Sequence, residues 1–158
     1  LLLISSLTKM EIVIIRTPLV YGSDSKGNLK RLINLIKLNI PLPFICFKNK
    51  RSYLSINNLI ELINVCLYNQ NAKNKIFNVC DDQDMSLSDL MYKISQSMGK
   101  NSKLFYLPKS FLYIFFLILG KKDVFDKFDK SLQVDNNFCC ETLNWSPKHK
   151  FEDEFFSE

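Results

Sequence analysis

Residues 11–22 read Glu11–Ile12–Val13–Ile14–Ile15–Arg16–Thr17–Pro18–Leu19–Val20–Tyr21–Gly22. The unbroken β-branched run from Ile12 to Ile15 predicts a strand buried on both faces, as in the interior of a parallel sheet. Thr17–Pro18 ends that strand, since proline has no N–H to give a ladder. Tyr21–Gly22 then opens a polar loop, Ser23 to Gly27.

Downstream, helical and extended patterns alternate. Leu29, Leu32, Ile33 and Ile36 share one helical face, with Asn28 placed as N-cap. Pro41 and Pro43 break the chain before a short predicted strand, Phe44 to Phe47. Arg51 to Ile56 reads as extended, and Asn57 as the cap of a helix carrying Leu59, Ile60, Ile63, Cys66 and Leu67 on one face. Lys75 to Cys80 predicts a strand. Ser86 and Asp89 have capping-box spacing for a helix from Leu87 to Met98, closed by Gly99. An apolar helix follows from Ser110 to Leu119, stopped by Gly120, then helical stretches at 122–128 and 137–143. Leu132 to Asp135 is predicted extended, Asn144 to Pro147 a turn, and Phe151 to Phe156 a final helix. Strands separated by helices mean α/β, and so many helices around short strands suit a substrate-capping lobe.

Composition narrows the function classes. The 158 residues are 47% hydrophobic and 23% charged, with a net charge of +5, which is globular rather than disordered. Basic runs such as Lys48–Asn49–Lys50–Arg51 are too short for a nucleic-acid face. Cys46, Cys66, Cys80, Cys139 and Cys140 show no CxxC spacing, so reduced, buried thiols and a cytoplasmic setting are expected. With His149 the sole histidine, a metal site is not expected. The chain opens on Leu1 without signal-peptide features and reads as starting inside a longer gene product. Phe111 to Leu119 is about half the length of a membrane span and is expected to be buried or to face a partner.

The catalytic inventory is short. The glycines are Gly22, Gly27, Gly99 and Gly120, so no GxGxxG phosphate loop exists. No tyrosine is followed four residues later by lysine, and a triad on His149 would be contrived.

Seven ordered segments carry a resemblance. They are Ile15–Gly22 (RxPxVYG-like), Lys26–Leu29, Leu42–Phe44, Lys50–Leu59 (RDFxYVDDL-like), Phe77–Val79 (FNV), Ser131–Asp135 (SLxVD-like) and Leu143–Pro147 (LGWxP-like). Together they resemble the extended short-chain dehydrogenase/reductases, the NAD-dependent epimerase/dehydratase family, above all its bacterial UDP-glucose 4-epimerase-like members. The resemblance implies an α/β C-terminal substrate-binding lobe with the last Rossmann strands, the Rossmann N-terminal half being absent. Residues 1–158 would form a single partial domain.

The resemblance also implies roles. Arg51 matches the arginine that pairs with a nucleotide diphosphate, a task suited to a planar guanidinium. Asn28 and Leu29 match the loop-to-helix position that meets the nucleotide, and Phe44 the position against the base, although it could equally be core. Lys127 stands near a second phosphate contact. Leu19 and Pro18 would line the sugar and nicotinamide end, with NAD held mainly by the absent half. No catalytic residue is expected here, because the Tyr/Lys pair is missing. Leu19 stands where many epimerases carry a substrate-binding Asn, while Asn57, Ser55 and Asn144 replace an Asp, an aromatic residue and a Gly.

The expected parent is therefore an enzyme acting at C4 of a UDP-sugar by NAD-dependent hydride transfer, inactive as this piece alone. A 4-keto-sugar reductase is the rival reaction. A non-catalytic nucleotide- or protein-binding remnant is the rival class, and a membrane-associated scaffold using Phe111–Leu119 is a third. A homodimer of the parent, no nucleic-acid partner and no transmembrane segment complete the expectations. The isolated chain should be poorly soluble, since strand 12–15 would expose an edge.

Overall fold

A computed structural model describes Thr8, residues 10–22, 27–151 and Glu154. The chain divides into two compact units.

The strand unit comprises Thr8, residues 10–22, 52–83 and 134–151, and Glu154. Strands β1 (Ile14–Arg16) and β4 (Ile76–Asn78) pair in parallel, Ile15 opposite Phe77. Strands β2 (Leu19–Tyr21) and β3 (Tyr53–Ser55) form a second parallel pair, Val20 opposite Leu54. Helix α2 (Ile56–Tyr68) follows β3 directly, and α6 (Asn137–Leu143) packs by β4. Leu54, Leu62, Phe77, Val79, Cys139, Leu143 and Trp145 fill the core.

Parallel pairing of residues 14–16 is as expected, but full burial is not. Val13, Ile14 and Ile15 are only partly buried, because β1 has β4 as its one strand partner among the described residues.

The helical unit comprises residues 27–51 and 84–133. It holds α1 (Asn28–Lys37), α3 (Leu87–Ser97), α4 (Lys109–Ile118) and α5 (Lys122–Asp129). Helix α1 packs on α3, and α4 on α5. An aromatic cluster ties α4 and α5 to the loop before residue 48: Phe47 lies 5.7 Å from Phe125 and 6.1 Å from Phe128, ring to ring.

Several local expectations need correction. Gly27, with φ 68°, is the N-cap of α1, so Asn28 is already inside the helix. Phe44–Phe47 is a turn closed by Phe47 N donating to Phe44 O at 3.2 Å, not a strand; the bridge in this stretch is made by Leu42, to Leu104, and the Phe44 and Phe47 rings pack on α5 instead. Ser55 caps α2 in place of Asn57, its hydroxyl accepting from the N–H groups of Asn57 and Asn58. Of residues 132–135 only Leu132 makes a bridge, to Arg51. The capping box at Ser86 and Asp89 is present, and Gly99 has φ 62°. Asn144 takes the left-handed conformation, φ 48°, which asparagine tolerates better than most residues; this explains a glycine or asparagine before Trp145. Of the expected last helix Phe151 and Glu154 are helical, and the rest lies outside the described residues, as does the loop at 23–26.

Candidate functional site

Arg51 occupies a fixed place in the helical unit. Its N–H donates to Met85 O at 3.1 Å, and Met85 N–H returns the bond to Arg51 O at 2.9 Å. Leu132 N–H donates to Lys50 O at 2.9 Å, and Lys50 N–H to Ser131 Oγ at 3.1 Å. These bonds hold the main chain from two sides, so the side chain leaves from a rigid point. One guanidinium N–H donates to the Lys127 carbonyl. The fork's remaining donors have no partner among the described residues, and the side chain is half-exposed.

That contact joins two residues that the sequence singled out separately, 76 positions apart. The Lys127 side chain is exposed on α5. A guanidinium with free N–H groups beside an exposed lysine can take an anion with two or more oxygens, by bidentate hydrogen bonds from the one and point charge from the other.

The other predicted residues are distributed differently. Phe44 is buried, 5.5 Å from Phe128 and 6.0 Å from Phe47 between ring centroids, so it forms the apolar floor behind Lys127's helix. Leu29 is fully buried on the inner face of α1. Asn28 is the first residue of α1, whose first turn carries no acidic residue. Pro18 and Leu19 belong to the strand unit, Pro18 half-buried and Leu19 exposed at the start of β2.

The strand unit contains a polar network that residue pattern alone did not reveal. Asp81 Oδ2 accepts from the Tyr21 hydroxyl at 2.7 Å and from Ser55 N–H at 3.0 Å. Its Oδ1 accepts from Asn58 Nδ2 at 2.7 Å. Asn58, fully buried, also donates to His149 O at 2.8 Å, and its Oδ1 accepts from the N–H groups of Lys148 and His149 at 3.0 and 2.9 Å. Ser55 Oγ donates to Glu154. Burial pushes the Asp81 carboxyl above its ordinary range, although hydrogen bonds from Tyr21, Asn58 and Ser55 pull it down. The network therefore explains the tyrosine of the RxPxVYG-like segment and the second asparagine of Asn57–Asn58 as structural residues. Its signal lay in the motif spacing, but the partner Asp81 sits in what reads as an ordinary turn. Gly22 belongs here too: a Cβ on it would come 2.6 Å from Ile56 Cγ2.

The five cysteines are free thiols, with Cys46, Cys80 and Cys139 buried. Burial pushes the Cys139 thiol up to about 12, which makes it inert packing. No three His, Cys, Asp or Glu residues cluster as metal ligands among the described residues. No helix among them is long and apolar enough to cross a membrane.

No protein-family profile matches the chain. It is 36% identical over 149 residues to a UDP-glucose 4-epimerase of Vibrio cholerae, covering 94% of this chain and 45% of that protein. It is 26% identical over 101 residues to an N-acetyl-alpha-D-glucosaminyl-diphospho-ditrans,octacis-undecaprenol 4-epimerase of Escherichia coli O157:H7, covering 64% of this chain and 30% of that protein. The structure of UDP-glucuronic acid 4-epimerase from Bacillus cereus in complex with NAD matches the fold with a TM-score of 0.69 at 19% identity, over 95% of this chain and 44% of the other. The chain thus spans less than half the length of each of these three proteins.

Proposed function

We propose that the chain is the C-terminal, substrate-binding part of an extended short-chain dehydrogenase/reductase of the NAD-dependent epimerase/dehydratase type, and that it holds the diphosphate of a sugar nucleotide for 4-epimerisation. The carrying observation is the Arg51 guanidinium, anchored by a paired main chain and turned onto the Lys127 carbonyl with donors to spare. A diphosphate is common to the substrates in the names of both curated relatives.

In this reading Arg51 grips the diphosphate and Lys127 adds a cation. The start of α1 supplies main-chain N–H groups that favour an anion. Asn28 and Leu29 act there through their backbone, since the Leu29 side chain is spent in the core. Phe44 backs the site through Phe128. In the strand unit, Pro18 and Leu19 are assigned the nicotinamide and the sugar as partners, through apolar surface. This chain holds no glycine-rich phosphate cradle, so of the cofactor only the nicotinamide end fits its residues. NAD supplies the hydride chemistry when bound, and the proton-transfer residues belong to sequence outside this chain. A cytoplasmic, homodimeric parent fits this reading, and the 158 residues alone should be inactive.

Leu19 favours one second reading. The exposed Leu19 side chain at the start of β2 offers no hydrogen bond to a sugar, which suits a UDP-4-keto-sugar reductase as well as an epimerase. Interconversion of UDP-sugars without net NAD(P)H consumption identifies the epimerase, and stoichiometric consumption the reductase.

Binding of UDP and of uridine to the full-length protein tests the diphosphate site. Arg51→Ala should weaken UDP binding about tenfold or more, as loss of a charge-assisted pair predicts, and leave uridine binding unchanged. Equal UDP affinity in both proteins would remove Arg51 from the site.

A further inference from the structure

Helix α4 packs by one side only. Leu112 is buried, and the partly buried rings of Tyr113 and Phe116 meet Phe125 at 5.4 and 6.1 Å. A helix packed in this way normally turns a polar face outward. Here Phe111, Ile114, Phe115 and Ile118, spaced i, i+3, i+4 and i+7, form a second apolar stripe on the outside. With Leu117 and Leu119 these residues are exposed by 51 to 78%. Phe105 and Tyr106, just ahead of the helix, are exposed as well. Within α4 only Lys109 and Ser110, both in the first turn, are polar in character, apart from the hydroxyl of Tyr113.

Charge selects the occupant. From Leu90 to Lys122 the sequence has six lysines and no carboxylate. Lys109 is paired with Asp129. Lys103, Lys121 and Lys122 are exposed and have no carboxylate partner among the described residues. Lysines 121 and 122 follow directly on Leu117, Ile118 and Leu119, so cationic groups border the apolar stripe at its C-terminal end. Ten helical residues span about 15 Å, half the hydrocarbon thickness, so α4 cannot cross a bilayer. An apolar helical face bordered by unpaired lysines is what lies in the plane of an anionic membrane, with apolar side chains at the acyl boundary and ammonium groups at the headgroups.

We propose that the outer face of α4 docks the protein reversibly on membranes containing anionic lipid. The proposal stands on this helix alone and is independent of the sugar-nucleotide reading.

Vesicle co-sedimentation of the full-length protein tests it, with phosphatidylcholine vesicles containing or lacking phosphatidylglycerol. Binding should require phosphatidylglycerol and weaken in high salt. Ile118→Glu should reduce it roughly tenfold or more, the effect of keeping one large apolar side chain out of the acyl boundary. Lys121→Glu with Lys122→Glu should abolish the preference for anionic vesicles. Leu67→Glu, on the exposed surface of α2, should bind as the parent does, and matching melting curves would show that each variant is folded. Three outcomes overturn the proposal. One is no sedimentation with either vesicle. Another is binding indifferent to Ile118→Glu. The third is a parent dimer that Ile118→Glu converts to monomer, which would make the face a contact between copies. Arg51→Ala should leave vesicle binding unchanged, which separates failure here from failure at the diphosphate site.

Discussion

The two units solve the same problem, holding short elements together, by opposite means. The strand unit joins β2, β3, α2 and the segment after Pro147 through Tyr21, Asp81, Asn58, Ser55 and Glu154, with buried polar atoms paired across the chain. The helical unit uses rings: Phe44, Phe47, Tyr113, Phe116, Phe125 and Phe128 meet at 5.4 to 6.3 Å in tilted or edge-on pairs. Hydrogen bonds are strictly directional and fail one by one, whereas ring packing accepts a range of tilted and edge-on geometries and fails by leaving a cavity. A unit held by rings can also leave apolar surface outside without violating any pairing requirement. A buried amide network cannot leave an acceptor unfilled at so little cost.

The largest expected effect breaks the aromatic side of this contrast. Phe47→Ala removes a fully buried ring and should cost about 4 kcal/mol. Hydrogen exchange should accelerate in α3 and α5 more than in β1 and β4. Uniform acceleration through both units would show that they unfold as one. Asn58→Ala attacks the polar side, leaving Asp81 Oδ1 and the N–H groups of residues 148 and 149 without partners. About 3 kcal/mol should be lost in urea denaturation, with protection falling first around residues 148 and 149.

The smallest effect sharpens the electrostatics. Since burial raises the folded-state pKa of Asp81, the native protein binds this proton more tightly than the unfolded chain does. The group's contribution is therefore most favourable below the unfolded carboxylate pKa, and is lost as pH rises through the raised folded value. Asp81→Asn should flatten the stability profile across that acid window. It should also cost about 1 kcal/mol at neutral pH, because an amide cannot accept on both sides. A mutant profile parallel to the parent's would show that Asp81 does not titrate differently on folding.

Local signals located most elements. The spacing of Leu29, Leu32, Ile33 and Ile36 was enough to find α1, and Ser86 with Asp89 marked the start of α3. Caps at equivalent-looking residues were less legible. Asn57 and Ser55 are both good N-caps, and the choice fell to Ser55 because β3 runs in register with β2 as far as Ser55 itself. Phe44–Phe47 looks like a strand by residue type, yet it turns because its rings are claimed by α5.

The candidate site was legible as residue identities more than as geometry. Arg51 and Lys127 were separate matches to a pattern; the hydrogen bond from one to the other's carbonyl is a contact across 76 residues. No local rule predicts such a contact. The same limit hid Asp81, whose neighbours in sequence give no hint of Tyr21 or Asn58.

By itself the sequence determined the ordered segments that tie this chain to its relatives. It also determined the helical periodicities, the lack of a glycine-rich phosphate loop and the lack of a Tyr/Lys pair, all of which are properties of residue order. Tertiary structure alone decided what each apolar run does. Ile12–Ile15 is half-covered because a strand's burial depends on how many partners it finds, here one among the described residues. Phe111–Leu119, equally apolar, packs one stripe against α5 and leaves the other outside. Hydrophobicity sets how strongly a surface seeks cover, and only the arrangement of the other elements sets whether cover is there.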